Sequence, residues 1–243
     1  LNVSHTHCGP EFCTDDLSTM KIDPALLTAA WKYRAELQKK LVALVGESLA
    51  NLATSQLDYV HARCGFAMNR RRPTATGYTN APNIDGPVDH DVPVLRVSDT
   101  SGRVRAVLFG YACHNTCMGD YLFRGDYAGY AQEYLEQSRP GMAALFLMGC
   151  GGDQNPYPRR TESFVRTHGR SLATAVEAAL ETVPKPLAGP LHAAIDDAIL
   201  DFPPPPSREE LQKIAATKKR PAAEHAERLL KELAEKGKIR ATY

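Results

Sequence analysis

The sequence predicts an α/β fold, a mixed β-sheet flanked by α-helices, and an incomplete domain. Three observations carry this. Short apolar or alternating runs at Leu57–Phe66, Val92–Val97, Val104–Cys113 and Ala143–Met148 read as strands. Long stretches of helical periodicity stand between and around them, without the strict alternation of a pure parallel wind. Finally, Leu1 is not a methionine and the chain starts inside what reads as a strand, so the sequence is expected to be a piece of a longer protein.

Each element has its own signal. Leu1 to His7 alternates and ends at Gly9-Pro10, as a strand entering a loop. Asp23-Pro24 is an N-cap acid followed by a first-turn proline. The apolar residues from Leu26 to Leu52 then give a long amphipathic helix, with Trp31 and the leucines expected in the core. Residues 70–87, rich in Pro, Gly, Asn and Thr, read as an irregular loop. Thr100-Ser101-Gly102 marks a hairpin. Asp126–Gln137 and Thr161–Val183 are expected as helices, Ala143–Met148 as a buried strand, and Leu191–Phe202 as a further strand. After Pro203 to Pro206 the character changes: Ser207 and Glu210 form a capping box, and Ala226, Leu229, Leu230 and Leu233 stripe a charged helix ending at Gly237. Residues 1–202 are therefore read as the main part of the domain, and residues 203–243 as a Pro-rich hinge and charged helical segment of the same domain.

Composition narrows the function. Lys plus Arg number 29 against 28 Asp plus Glu, a net charge of +1, which leaves no electrostatic footprint for nucleic acid and no polybasic patch for anionic lipid. The longest apolar run, at Ala143–Met148, is far short of the ~20 residues of a membrane span, so no transmembrane segment is expected. The 6 cysteines form no Cys-x-x-Cys pair and read as buried free thiols ahead of a zinc site or disulfides.

Three clusters carry chemistry. In a strand, His5 and His7 of His5-Thr6-His7 would project from one face, a placement suited to metal ligation or proton transfer. His114-Asn115-Thr116 follows one predicted strand, and Gly149 to Pro156 follows another. All three lie at predicted strand ends, where open α/β sheets bind ligands. Arg70-Arg71-Arg72 reads as a solvated charge run, although Asn69-Arg70 at a strand exit could put one guanidinium into a cleft to hold an oxyanion or carboxylate. His61 and His192 are expected to be structural residues within strands, His90, His168 and His225 to face solvent, and Asp15-Asp16 to cap a helix.

Five blocks then form a pattern: His5-Thr6-His7-Cys8-Gly9-Pro10, Asn69-Arg70, Ala112 to Thr116, Gly125-Asp126-Tyr127-Ala128-Gly129-Tyr130, and Gly152-Asp153-Gln154-Asn155-Pro156. In order and approximate spacing they resemble the N-terminal catalytic domain of neutral/alkaline (non-lysosomal) ceramidases, over about Asn2 to Phe202. The resemblance implies a zinc-dependent hydrolase of the ceramide N-acyl bond, hence a lipid or small-molecule N-acyl substrate, Zn2+ as cofactor, and a secreted or periplasmic location. It places His5 and His114 as zinc ligands, His7 as the histidine serving the reaction beside the metal, and Arg70 as an active-site arginine. The family completes its zinc sphere with a Glu and a Tyr that have no counterpart before Tyr243. It commonly has Gly-Asp-x-Ser-Pro, where this chain has Asn155 in place of the serine. An amide cannot act as a hydroxyl nucleophile, but it can donate to an oxyanion or orient a water. The alternatives are a catalytically inactive member that binds lipid or metal, and an amidohydrolase of a non-lipid amide.

Overall fold

The computed structural model describes residues 2–10, 23–217 and 220–239. Its strands are β1 (Gln56–Arg63), β2 (Ala67–Asn69), β3 (Arg71–Thr74), β4 (Gly77–Asn80), β5 (Asp91–Ser98), β6 (Val104–Tyr111), β7 (Ala143–Met148), β8 (Gln154–Pro156) and β9 (Lys185–Leu187). Its helices are α1 (Pro24–Ala50), α2 (Asp126–Ser138), α3 (Glu162–Leu180), α4 (Arg208–Ala215) and α5 (Arg220–Lys236). Two compact units separate among these residues, one of residues 2–10 and Ala25–Gly189, the other mainly of residues 190–239.

The larger unit is built on a mixed sheet in the order β7-β6-β5-β1-β9. The hairpin β5–β6 and the pairings of β1 are antiparallel, whereas β6 and β7 are parallel and joined through α2. The predicted α/β class is therefore observed. Register lines up Val60, Val94, Phe109 and Phe146 as successive cross-strand partners on one face. Against that face pack Tyr127, Ala128, Ala131 and Leu135 of α2, and Leu172, Ala173, Val176 and Ala179 of α3. Each fully buried large side chain there is worth roughly 1.5–3 kcal/mol of transfer free energy. Thr161 caps α3 by accepting from the Phe164 amide at 3.2 Å.

Several expectations are corrected. Residues 2–6 form no strand. The span 70–87 contains the hairpin β3–β4, because four cross-strand pairs from Arg71/Asn80 to Thr74/Gly77 satisfy backbone that its composition left unassigned. β7 is buried on one face only: Leu145 and Leu147 are 53% and 42% exposed, since α2 covers the opposite side. α1 forms as the sequence predicts, yet none of its residues is buried; Leu27, Ala30, Leu37 and Leu41 are partly covered, and Trp31 is 43% exposed. Periodicity specifies which face of a helix is apolar, not what covers it.

Leu191–Phe202 is not a strand; the short β9 precedes it, and His192 is exposed outside any strand. The predicted tail helix is two, α4 and α5, packed on each other through Leu211, Ala223 and Ala226, with the Ser207/Glu210 capping box in place. Cys8, Cys64, Cys113 and Cys117 are buried free thiols and Cys150 an exposed one; Cys13, like Asp15-Asp16, lies outside the described residues. No described helix is long and apolar enough to cross a membrane.

His168, expected on the surface, is buried at 4% exposure on α3, stacked on Phe66 and donating from Nε2 to the Pro158 carbonyl at 2.6 Å. His90 is partly buried and donates to the Ala67 carbonyl, while His61 on β1 and His225 are exposed.

Two predictions follow from this packing. A Cβ on Gly169 would lie 2.5 Å from Tyr130 Cβ and 3.0 Å from the Tyr127 carbonyl oxygen, so the glycine sets the α2–α3 distance. Helix propensity alone would make Gly169→Ala stabilising by about 1 kcal/mol. The steric cost is expected to win, with a net loss of about 1–3 kcal/mol in denaturant unfolding. Burial holds the His168 pKa below its ordinary 6.5. Unfolding therefore takes up a proton as pH falls below about 6.5, and stability declines in that direction. The melting temperature should drop between pH 7.5 and 5.5, less steeply in His168→Gln.

Candidate functional site

The parallel pairing of β6 and β7 delivers two strand exits to the same edge of the sheet. From β6 the chain runs into Cys113–Thr116, and from β7 into the Gly149–Asp153 turn that leads to β8. The two exits are locked together. The His114 amide donates to the Gln154 carbonyl at 3.0 Å, and the Gly149 amide to the Tyr111 carbonyl at 3.1 Å. A Cβ on Gly151 would fall 2.6 Å from the Cys113 nitrogen, so only glycine permits this approach.

His114 sits in this junction at 6% exposure. Its Nδ1 lies 2.6 Å from the Gly151 carbonyl, which can only accept, so Nδ1 carries the proton. Its Nε2 keeps the lone pair and accepts from Arg70 Nη2 at 3.1 Å. Burial, followed by the charges of Arg70, His5 and His7, holds the pKa of His114 below 6.5, with the Gly151 bond acting the other way.

His5 and His7 reach the same place without a strand. His5 takes a left-handed backbone, φ 57°, a conformation that costs a non-glycine residue roughly 1–2 kcal/mol. Long-range bonds hold the segment there. The His7 amide donates to the Asn115 carbonyl at 3.4 Å, Asn115 Nδ2 to the Ser4 carbonyl, and Thr6 Oγ1 to the Arg124 carbonyl at 2.9 Å. His5 and His7 Nε2 lie 3.3 Å apart, and the three ring centroids are 4.5–5.8 Å from one another. Burial, then the charges of His5 and Arg70, lowers the His7 pKa as well.

One nitrogen from each of His5, His7 and His114 falls within 4.8 Å of the others. Zinc–nitrogen bonds of about 2.0–2.1 Å in a tetrahedral sphere put neighbouring ligand nitrogens about 3.3 Å apart. Three nitrogens within 4.8 Å of one another can draw in around one ion, two as ligands and the third beside it, and neutral imidazoles are the appropriate donors. The residues present thus fit a divalent transition metal.

Arg70 leaves β2 beside β8, which pairs Asn69 with Gln154. Its Nε and Nη2 donate to the Gly152 carbonyl at 3.1 and 2.8 Å, and its Nη1 to Asn155 Oδ1 at 3.3 Å. Of the Arg70–Arg72 run, this guanidinium alone lies against the histidines, and the flanking two belong to β3. Asn155 is 6% exposed with both amide ends engaged: Oδ1 accepts from Arg70 and from Thr116 Oγ1 at 3.2 Å, and Nδ2 donates to Asn80 Oδ1 at 3.3 Å.

All five residues expected from the sequence, His5, His7, Arg70, His114 and Asn155, therefore meet at one sheet edge. Three others were not foreseen. Gly151 fixes a tautomer through its carbonyl, which no side-chain pattern reveals. Asn80 lay in the span read as loop. Arg159 stands a few residues beyond Asn155, and only the second basic pair Arg159-Arg160 marked it.

Solved ceramidase structures are similar to this chain. A ceramidase complexed with C2 matches with a TM-score of 0.49 and 20% identity over 58% of this chain and 24% of its own. The neutral ceramidase from Pseudomonas aeruginosa matches with a TM-score of 0.49 and 19% identity over 60% of this chain and 26% of its own. The chain thus spans about a quarter of the length of either protein. No family model matches the sequence, and no curated protein matches it. Likeness of this degree assigns no residue a role.

Gly151→Ala should force the turn away from Cys113 and loosen the His114 Nδ1 bond. The expected outcome is a loss of about 1–3 kcal/mol in stability and disappearance of a protected Nδ1–H signal in imidazole 15N spectra.

Proposed function

We propose that the chain carries part of the active site of a zinc-dependent hydrolase of N-acyl (amide) bonds, with ceramide-like lipids as the substrate class. The observation supporting this reading is the convergence of the His5, His7 and His114 nitrogens beside the Arg70 guanidinium. The sequence resemblance to neutral/alkaline ceramidases points the same way.

His5 and His114 would hold the zinc. When bound, it supplies a Lewis acid and a water whose pKa drops to about 7. The chain's own residues do the rest. The Gly151 carbonyl keeps the His114 proton on Nδ1, so Nε2 is presented as a donor. Arg70 Nη2 engages that lone pair. A lone pair serves one partner at a time, so if His114 Nε2 held the metal, one N–H of Arg70 would be free to donate to the substrate carbonyl oxygen. Preorganised donors of this kind contribute about 3–4 kcal/mol to transition-state stabilisation. His7, whose pKa partial desolvation and the neighbouring His5 and Arg70 charges lower, would take a proton at Nε2 and return it to the leaving amine. Asn155 is not a nucleophile in this scheme; it fixes the Arg70 guanidinium through Nη1.

Calorimetric titration of the protein with Zn2+ should show binding that weakens at least tenfold in His5→Ala and in His114→Ala. Unchanged affinity in both would remove the metal assignment. Release of fatty acid from a short-chain N-acyl sphingosine by the full-length protein should be abolished by chelation and restored by Zn2+. Release that survives chelation would contradict the mechanism.

A further inference from the structure

Beside the histidines lies a small cleft of about 40 Å3, lined by Arg70, Arg159, Asn80, Asn155 and Tyr157, among others. Two guanidiniums face this one cavity. Neither forms a salt bridge with a described carboxylate, whereas Arg96, Arg124, Arg139 and Arg166 all do. Arg159 donates to a backbone oxygen, the Thr116 carbonyl, at 3.4 Å, and the Arg70 guanidinium donates to the Gly152 carbonyl and to Asn155 Oδ1. Both side chains are partly buried, so their charge is poorly screened by solvent.

We infer that this cleft is a carboxylate subsite, and that the substrate bears a carboxylate close to its scissile amide, as in an N-acyl amino acid. The inference rests on the amide-hydrolase reading above; an N-acyl amino acid shares the scissile amide of a ceramide but carries a carboxylate where ceramide has an uncharged headgroup, so the substrate class differs.

Volume and geometry select the ligand. The cleft is small, about 40 Å3, with room for a compact polar group such as a carboxylate between its two arginines. Arg70 belongs to both sites: Nη2 points at His114 and Nη1 at Asn155, on the cleft wall. A carbonyl oxygen and a carboxylate that use opposite ends of one guanidinium must be close in the substrate. In an N-acyl amino acid only the amide nitrogen and Cα separate them. Arg159 supplies the second cation, and the Asn80 and Asn155 amides add polar walls. The reaction balances as simple hydrolysis. The hydroxide of water joins the acyl carbon, the C–N bond breaks, and the proton goes to the amino nitrogen, giving a carboxylic acid and a free amino acid.

The test compares N-butanoylglycine with N-butanoylethanolamine, which differ in a carboxylate against a hydroxymethyl group. Binding to the full-length protein is read by calorimetry in the presence of a chelator, so that no metal can attract the carboxylate. The glycine conjugate is expected to bind at least tenfold more tightly, about 1.4 kcal/mol. That ratio should fall at least tenfold in Arg159→Gln; if this variant does not fold, Asn80→Asp, which puts a negative charge on the cleft wall, should lower it likewise. Equal affinity for the two conjugates, or a ratio unmoved in the folded variant, overturns the subsite. Because turnover is not involved, failure of the hydrolase reading would appear separately, as absence of chelator-sensitive acid release from either conjugate.

Discussion

The parallel ladder between β6 and β7 is the constraint on which the site depends. An antiparallel neighbour would have sent its exit to the opposite edge of the sheet. With parallel strands, Cys113–Thr116 and Gly149–Asp153 emerge together, close enough that the Gly151 Cβ position is already filled by the Cys113 backbone. That contact puts a carbonyl 2.6 Å from His114 Nδ1 and so settles which ring nitrogen keeps its lone pair. The chain of cause runs from strand direction to loop proximity, then to tautomer, and ends at metal-ligating capacity.

The N-terminal segment reaches the same edge by a different principle. Its residues make no ladder bonds, and its position is set by side chain–backbone bonds from Asn115 and Thr6 and by the amide of His7. The reading of His5-Thr6-His7 as a strand put both imidazoles on one face for a reason that does not hold, since residues 2–6 are not extended into a sheet and His5 is left-handed. Alternation of polar and apolar residues over so few positions cannot distinguish a strand from a segment held by long-range bonds. The rings nevertheless converge, because His5, His7 and His114 are drawn together by Asn115, a fully buried residue in the second cluster.

What the sequence made legible were the elements governed by local pattern: α1 from Asp23-Pro24, the β5–β6 hairpin from Thr100-Ser101-Gly102, and α3 as the helix expected over Thr161–Val183. What it left hidden depends on partners distant in the chain. The apolar run Ala143–Met148 looks the same whether one or both faces are covered, and the exposure of Leu145 and Leu147 follows from which side α2 packs on. His168 carries no sequence mark of burial; it is inside because it falls on the α3 stripe that meets Phe66. Arg70 stood within a charge run whose ordinary fate is solvation, with its place at a strand exit as the hint of a cleft position; what the sequence did not show is the pairing of β2 with β8, which brings the Gly152 carbonyl within its reach.

Asn155 organises its polar surroundings through both ends of its amide. A serine hydroxyl has one proton to donate and a short reach, whereas the amide offers an acceptor and two donors on a longer stem. Here that capacity is used in opposite directions, Oδ1 toward Arg70 and Thr116 and Nδ2 toward Asn80. The result ties β4, β2 and the strand exit after β6 into one polar network around a single guanidinium. A buried network of this kind is favourable only when its members are satisfied, and among the described residues no buried side-chain nitrogen or oxygen lacks a partner. Arg70 is thereby fixed at Nη1, Nε and the Gly152 side of Nη2, leaving its contact with His114 as the one that ligation of the imidazole would exchange. Rigidity on one side of the guanidinium and replaceability on the other are what a donor needs if it is to be held in place before the carbonyl oxygen arrives.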